Sequence, residues 1–170
     1  MTIAPFSPEH APGVAALIVP IQRQEFGVPV TLADQPDLAD IPGFYQADGG
    51  FWVAVEDDAV VGSIGLKRFG PRDGALRKMF VAEAFRGARI GTGQALLDTL
   101  LAFARERGLA RIWLGTTPAF LAAHRFYEKN GFVRVEAPDL PSTYPRMAVD
   151  TVFYRLDLAS PGLASEPAKA

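Results

Sequence analysis

The amino-acid sequence predicts an α/β fold with a mixed, mostly antiparallel central sheet and helices on both faces. Residues 76–116 carry a strand, a helix and a second, strongly apolar strand in succession, and this order requires a parallel strand pair with a right-handed crossover. Residues 51–56 and 60–67 form two predicted strands around a turn at Asp57 and Asp58, which indicates an antiparallel hairpin. The chain has 170 residues, 49% of them hydrophobic, which is enough to bury the core of one domain.

The N-terminal third is expected to form a short strand and then helices. The strand covers residues 2–6, and Ser7 with the proline after it has the pattern of a helix N-cap and first helical residue. Pro20 should break or kink this helix, and a short helical piece follows at residues 21–26. We expect one further helix over residues 34–46, before the hairpin.

The chain after the apolar strand at residues 110–116 is expected to continue with another helix. Thr117 and Pro118 repeat the pattern of N-cap and first helical proline. The helix should end at residues 130–131, an Asn-Gly pair of the kind that caps helices.

Two strands, at residues 132–135 and 149–158, complete the predicted sheet. We therefore assign residues 1–158 to one domain. Residues 159–170 are mostly small, proline, glycine or charged, and this composition predicts a disordered tail.

A glycine-rich loop separates the strand at residues 76–81 from an amphipathic helix that begins near Gln94 and ends before Gly108. The loop residues are Arg86, Gly87, Ala88, Arg89, Ile90, Gly91, Thr92 and Gly93. Glycines permit positive φ and leave the backbone accessible to a ligand. The first amides of the following helix and its dipole attract anions such as phosphate. The loop is therefore a candidate phosphate site, although packing alone also produces such turns.

Two common phosphate loops are excluded by their residues. The nucleoside triphosphate loop requires Gly-Lys followed by Ser or Thr, and this chain has no such sequence after the glycines. The dinucleotide fingerprint requires a third glycine where Leu96 stands, and an acidic residue about twenty residues further on that is also missing.

The loop resembles the pyrophosphate loop of the GNAT superfamily of N-acetyltransferases, which has the pattern Arg/Gln-x-x-Gly-x-Gly/Ala between a strand and a helix. Gly91-Thr92-Gly93 matches the second half of this pattern. The first half differs, because Ala88 stands where the family has Arg or Gln. Arg86-Gly87 is similar to the usual Arg-Gly opening of the family's loop, with two additional residues before the glycine pair.

A second segment strengthens the resemblance. Residues 123–132, Ala-His-Arg-Phe-Tyr-Glu-Lys-Asn-Gly-Phe, resemble the family pattern Ala-x-x-Leu/Phe-Tyr-x-x-x-Gly-Phe. Phe120 stands where the family often has an asparagine. The two segments occur in the family's order, and the predicted succession of helices and strands is also that of the GNAT fold.

The resemblance implies a GNAT-like sheet whose parallel strand pair is splayed to admit acetyl-CoA as co-substrate. The pyrophosphate is then expected on the backbone amides of residues 86–93, and the pantetheine arm along the backbone of Met79, Phe80 and Val81. Tyr127 has the position of a family tyrosine that often protonates the departing thiolate.

The resemblance also implies an N-acetyltransferase in which an amine attacks the thioester directly in a ternary complex. The chain has no cysteine, which is consistent with a reaction that forms no covalent enzyme intermediate. The alternative from another functional class is a non-catalytic acyl-CoA-binding sensor, which would keep the phosphate loop and lose turnover.

The sequence leaves the acetyl acceptor open among small-molecule and peptide amines. Glu25, Asp34 and Asp37 are candidates for binding a cationic amine or taking its proton. A structural role is open for each, with Asp34 as a helix cap and the other two as surface charges. Arg77 and Lys78 follow one another in a predicted strand, so we expect one on each face, with a position in solvent favoured over one at the cofactor cleft.

Composition excludes several other partners and predicts a soluble, cytoplasmic protein. The net charge is −2 and there is no basic block, which argues against nucleic acid. With no cysteine and two histidines, a metal site is not expected. No apolar run is long enough to span a membrane, and no signal peptide is visible. The oligomeric state is open, with a homodimer as one alternative.

Overall fold

The computed structural model describes residues 1–158, which fold around one seven-stranded sheet with helices packed against it. The strands are β1 (Thr2–Pro5), β2 (Gly50–Glu56), β3 (Ala59–Arg68), β4 (Asp73–Val81), β5 (Arg111–Thr116), β6 (Val133–Val135) and β7 (Val152–Asp157). The α-helices are α1 (Ala11–Pro20), α2 (Pro36–Ala39), α3 (Thr92–Glu106) and α4 (Leu121–Lys129). Within the described range, no helix is both long and apolar enough to cross a lipid bilayer. The tail predicted at residues 159–170 lies outside the described residues.

The strands are arranged in the order β1-β2-β3-β4-β5-β7-β6. β4 and β5 run parallel over three residues of each strand, beginning with Asp73 opposite Arg111. β2 and β3 form the predicted antiparallel hairpin. Its turn residues Asp57 and Asp58 have φ of 49° and 63°, as in the tight turns that match the twist of a hairpin. The predicted mixed, mostly antiparallel sheet is confirmed.

The chain divides into two compact units, and each buries its own apolar side chains. The first comprises Met1–Lys67 and Leu76–Ala102, with a core formed by α1, β2, β3 and the first part of α3. The second comprises Arg68–Ala75 and the residues from Phe103 on, with a core formed by β5, α4 and β7. The assignment of residues 1–158 to one domain stays a prediction.

Within the first unit, helical segments pack on both faces of β3. A Cβ on Gly62 would lie 2.9 Å from the Leu96 side chain of α3. A Cβ on Gly65 would lie 3.1 Å from the ring of Tyr45, in the π-helical turn Pro42–Gln46. These glycines are three residues apart in one strand and so face opposite sides. Helices on both faces of the sheet are thus confirmed, and glycine allows their close approach.

The helix expected over residues 34–46 is wrong as a continuous element. α2 ends at Ala39, Asp40 has a non-helical φ of −141° and ψ of 69°, and the π-helical turn follows at Pro42. In a continuous helix the ring of Pro42 would clash with the carbonyl of Leu38, four residues earlier, and Pro42 has no N–H to donate. The chain avoids this clash by leaving the helix for one residue.

The helix after β5 begins later than predicted. Thr117 and Pro118 lie before it, and α4 starts at Leu121 with Phe120 at the N-cap. The Phe120 N–H binds the carbonyl oxygen of Thr117 at 3.4 Å, and His124 Nε2 lies 2.9 Å from the same oxygen. The residues before α4 therefore form a turn. The Thr117 carbonyl oxygen closes this turn with the Phe120 N–H, and its contact with His124 of α4 joins the turn to the helix.

The other predicted boundaries agree with the structure to within a few residues. α3 begins at Thr92, two residues before the predicted start. Gly108 follows it with φ of +74°, as a left-handed cap requires. Pro20 is the last residue of α1, and the short helical piece after it is the π-helical turn Ile21–Glu25.

Candidate functional site

The C-terminal part of β4 contains a residue in the left-handed region. Lys78 has φ of +53°, which is uncommon for a residue with a side chain. Its carbonyl oxygen accepts a hydrogen bond from Ser63 Oγ at 2.7 Å. This irregularity lies just before Met79, Phe80 and Val81, which are half-buried and were expected to present backbone groups to a ligand.

The glycine loop that follows β4 is open to solvent. Gly87 and Gly91 have φ of +102° and +79°, values that favour glycine. The N–H groups of Ile90 and Gly91 bind the carbonyl oxygen of Gly87 at 3.2 and 3.0 Å, which makes the loop a compact turn. Among the described residues, no atom lies within 4 Å of a Cβ built on Gly87, and the nearest to Gly91 is 3.9 Å away. The backbone at both glycines is therefore accessible to a ligand.

α3 begins directly after this loop. The Ala95 N–H binds the carbonyl oxygen of Gly91 at 2.9 Å, so the amides of Thr92 and Gly93 precede the first hydrogen bond of the helix. α3 has fifteen residues, and its dipole places partial positive charge at the loop. Amides, dipole and an open glycine turn together can bind an anion such as phosphate.

Arg86, at the start of the loop, is bound to Glu25. Its Nη atoms lie 2.8 and 2.9 Å from the two carboxylate oxygens, and its Nε donates to the carbonyl oxygen of Val81 at 2.7 Å. The hydrogen bond from Arg86 lowers the pKa of Glu25. Both side chains are more than a third exposed, and such pairs contribute about 0–1 kcal/mol. A phosphate can therefore replace Glu25 at low cost. Arg89, on the same loop, is exposed.

Asp37 is buried, and the expectation that it is a surface charge is wrong. Its side chain is 7% exposed. The Tyr45 hydroxyl donates to its carboxylate at 2.6 Å, and the Arg77 and Lys78 cations lie 3.8 and 3.7 Å away. The expectation that these two cations lie on opposite faces and in solvent is also wrong. The positive φ of Lys78 breaks the two-residue alternation of the strand, so both side chains reach the same carboxylate.

Amide side chains extend this buried network. Lys78 Nζ donates to Gln35 Oε1 at 2.5 Å. Gln35 and Gln22 exchange two hydrogen bonds through their side chains, at 2.8 and 2.9 Å. Because Gln22 belongs to the π-helical turn Ile21–Glu25, the network connects β4 to the turn that contains Glu25, one of the candidates for binding the acceptor.

The three acidic residues proposed to bind the acceptor do not share one cluster. Asp34 is exposed and accepts hydrogen bonds from Thr31 N and Oγ1 at 2.9 and 3.0 Å. The first of these is the largest cause of its lowered pKa. Asp34 thus closes the capping box of the 3₁₀ turn Leu32–Asp34, whose N-cap is Thr31, and does not cap α2, whose N-cap is Gln35. Glu25 binds Arg86, and Asp37 lies in the buried network. Within residues 1–158, no three histidine or acidic side chains are grouped so that they could hold a metal ion.

Tyr127 lies in the second unit, near the end of α4, and is buried. Its ring packs at centroid distances of 5.5, 5.7 and 6.1 Å from Phe132, Phe126 and Tyr154. Burial, and then the charge of Asp150, raise its pKa above the ordinary value. The phenol is thus fully protonated at neutral pH. A tyrosine that serves only to pack the core would be buried in the same way, so burial alone does not distinguish the two roles.

Asp150 lies against β5 and was not identified in the sequence. A Cβ on Gly115 would be 2.6 Å from Asp150 Oδ2 and 2.9 Å from its Cβ. The Thr151 N–H binds the carbonyl oxygen of Thr116 at 3.0 Å, which fixes this approach. A sequence signal was present, because a glycine inside a buried strand often marks close approach by another group.

Comparison with known proteins identifies relatives over most of the chain. The model of the acetyltransferase (GNAT) family matches residues 16–132. The probable N-acetyltransferase camello of Xenopus tropicalis is 35% identical over 129 residues, 73% of this chain and 58% of its own length. The N-acetylaspartate synthetase of Danio rerio is 39% identical over 126 residues, 71% and 44% of the two chains. The chain thus spans about half the length of the curated relatives it matches.

Solved structures share the fold over nearly the whole chain. An acetyltransferase of the GNAT family from Staphylococcus aureus superimposes with a TM-score of 0.87 at 34% identity, covering 93% of this chain and 99% of its own. The N-acetylglutamate synthase from Neisseria gonorrhoeae, complexed with coenzyme A and N-acetyl-glutamate, has a TM-score of 0.70 at 20% identity, covering 93% and 35%. At that identity the second likeness concerns the fold alone.

Proposed function

Because this chain belongs to the acetyltransferase (GNAT) family, we propose that it transfers an acetyl group from acetyl-CoA to an amine. The observation that carries this proposal is the open turn between β4 and α3, in which Gly87 and Gly91 have positive φ and, among the described residues, no atom closer than 3.9 Å to an added Cβ. Such a turn at a helix N-terminus suits the pyrophosphate of coenzyme A.

The loop and the end of β4 bind different parts of the cofactor. The pyrophosphate binds the loop of residues 86–93 through amides such as those of Thr92 and Gly93, which precede the first hydrogen bond of α3, with Arg86 exchanging Glu25 for a phosphate oxygen. The pantetheine arm lies along the backbone of Met79, Phe80 and Val81. A fold neighbour that is complexed with coenzyme A supports this use of the fold.

The chemistry is a direct displacement in a ternary complex. The nitrogen of the amine attacks the thioester carbon, the C–N bond forms, and the C–S bond breaks to release a thiolate. Tyr127 donates its phenolic proton to that sulfur. A thiol has a pKa near 8.5 and a phenol near 10, and burial raises the pKa of Tyr127 further, so this phenol stays protonated until it donates a hydrogen bond or its proton to the departing thiolate.

The acceptor is a small-molecule or peptide amine. Relatives are named N-acetylaspartate synthetase, which makes L-aspartate the first acceptor to test. Of the acidic candidates, Glu25 is at the surface beside the loop, and its release from Arg86 by the cofactor would free it to bind a cationic acceptor. Asp34 and Asp37 act on the acceptor only through the segments that they hold in place, Asp34 at the turn after Thr31 and Asp37 in the buried network.

A thiol-release assay with acetyl-CoA tests the proposal against a panel of amines. The panel contains L-aspartate, L-glutamate, spermidine, an aminoglycoside and a short peptide with a free N-terminus. We expect release of coenzyme A that depends on at least one amine. Calorimetry in parallel measures acetyl-CoA binding. Binding without turnover for any amine would favour the sensor alternative, and no binding would refute the proposal.

A further inference from the structure

The side chain proposed to bind a cofactor phosphate already binds a carboxylate of this chain. Arg86 donates from both Nη atoms to the two oxygens of Glu25, at 2.8 and 2.9 Å. A phosphate presents its oxygens in a similar arrangement, and arginine binds both groups through two parallel hydrogen bonds. We infer that Glu25 is an internal competitor of coenzyme A, which occupies the donors of Arg86 and thereby weakens cofactor binding. This inference rests on the proposed function.

Arg86 is held at the loop independently of Glu25. Its Nε donates to the carbonyl oxygen of Val81, the last residue of β4, at 2.7 Å. Its backbone N–H binds the carbonyl oxygen of Glu83 at 3.2 Å. When the carboxylate leaves, the guanidinium therefore stays attached to β4, and both Nη atoms are released for a phosphate. Glu25 is thus not needed to position Arg86.

Glu25 is held beside Arg86 by the segment to which it belongs. It ends the π-helical turn Ile21–Glu25, which the Phe26 N–H closes with a hydrogen bond of 3.2 Å to the first carbonyl oxygen of the turn. The Phe26 ring lies 6.3 Å from the ring of Phe80 in β4. All of these residues belong to the first compact unit. A group attached to the same chain competes at a high effective concentration.

The competition is weak enough for the cofactor to displace Glu25. Both side chains are more than a third exposed, and exposed ion pairs contribute little, because water also solvates the separated charges. The hydrogen bond from Arg86 lowers the pKa of Glu25, so the carboxylate is charged at neutral pH and the pair forms. When only a fraction of the protein is competent to bind, the affinity falls by that fraction. Acetyl-CoA and coenzyme A carry the same phosphates, so Glu25 weakens the binding of both and favours release of the product.

Glu25→Gln tests this role, because it keeps the shape of the side chain and removes the charge that binds Arg86. We expect calorimetry in the absence of any amine to give a Kd for coenzyme A about fivefold lower than in the wild-type protein, the upper end of what an exposed ion pair contributes. The Kd of a pantetheine fragment without phosphate should not change. Glu83→Gln is the matched control, since Glu83 is exposed just before the loop and its replacement leaves the ion pair in place. It should change the Kd for coenzyme A by less than about twofold, because salt screens exposed charges at a distance.

The same change in the Arg86→Ala protein separates competition from general repulsion between charges. Without the guanidinium, the carboxylate has no donor to occupy, so Glu25→Gln should leave the Kd for coenzyme A nearly unchanged there. Unchanged or weaker binding in Glu25→Gln alone would overturn the inference, and weaker binding would show that Glu25 positions Arg86. An equal gain in Glu83→Gln, or in the Arg86→Ala background, would overturn it as well, because the gain would then come from general repulsion. A wild-type protein that binds no coenzyme A would instead refute the proposed function, and the inference with it.

Discussion

Removal of one hydroxyl group tests the proton donor most directly. Tyr127→Phe keeps the ring, and therefore keeps the packing against Phe132, Phe126 and Tyr154. Without the phenol, the thiolate must leave unprotonated or take its proton from water. We expect kcat to fall by about 100-fold, the lower end of general acid effects, which corresponds to about 2.7 kcal/mol of transition-state stabilisation.

Tyr154→Phe is the matched control in the same aromatic cluster. Burial, with a hydrogen bond to Glu128, raises the pKa of Tyr154 to about 12, so this phenol is also protonated at neutral pH. Its hydroxyl donates to Glu128 at 2.7 Å, and Glu128 is exposed. Loss of this bond should cost about 1 kcal/mol of stability and lower Tm by roughly 2–4 °C. It should leave kcat within about twofold of wild type.

The assay is thiol release at saturating acetyl-CoA with the fastest panel amine, together with calorimetric binding of acetyl-CoA and thermal melting. The expected pattern is a loss of turnover in Tyr127→Phe and a loss of stability in Tyr154→Phe. Full turnover in Tyr127→Phe would return Tyr127 to the core as a packing residue. Equal losses of turnover in both variants would attribute the effect to the cluster and refute the assignment.

Three further changes test the loop and the irregular strand. Gly91→Val should abolish acetyl-CoA binding by calorimetry while the protein stays folded, whereas Gly108→Val, at a similar positive φ away from the loop, should lower Tm and retain binding. Arg86→Ala should weaken the binding of coenzyme A by about 1.5–3 kcal/mol and leave the binding of a pantetheine fragment without phosphate unchanged. Equal losses of binding for the two ligands would indicate that Arg86 has a structural role. Lys78→Gly should be more stable than Lys78→Ala in urea unfolding by about 1 kcal/mol, since glycine accepts φ of +53°. The usual order in strands is the reverse, and finding it here would contradict the strain.

Elements with local causes could be predicted from the sequence. The left-handed cap at Gly108 follows from a glycine at the end of an apolar period, and the hairpin at residues 57–58 from two aspartates between strands. The strand, glycine loop and helix also follow from neighbouring residues, while phosphate binding at the loop stays a prediction. Errors in the predicted bounds of such elements are small. α4 begins a few residues later than predicted, because the Thr117 carbonyl oxygen, which contacts His124, belongs to a turn before the helix.

Contacts between distant parts of the chain could not be predicted in this way. The sequence predicts a surface charge at Asp37, because its cationic partners, Arg77 and Lys78, lie about forty residues away along the chain. Only the fold brings the three side chains together. Asp150 has no pattern around it. Its position depends on a glycine in a different strand, Gly115, and therefore on how β5 and the segment before β7 are aligned.

The irregularity at Lys78 shows why the residues nearest to a site are the hardest to assign from periodicity. A strand alternates its side chains only while its backbone stays extended, and one residue with positive φ changes which later side chains share a face. In β4 this residue lies directly before Met79, Phe80 and Val81, the segment proposed to bind the pantetheine arm. Backbone strain is maintained where the surroundings compensate it, and Ser63, Asp37 and Gln35 provide that compensation here. These contacts are between distant parts of the chain, so the conformation of Lys78 could not be predicted from the sequence. The same contacts hold the end of β4 in the shape on which the proposed function depends.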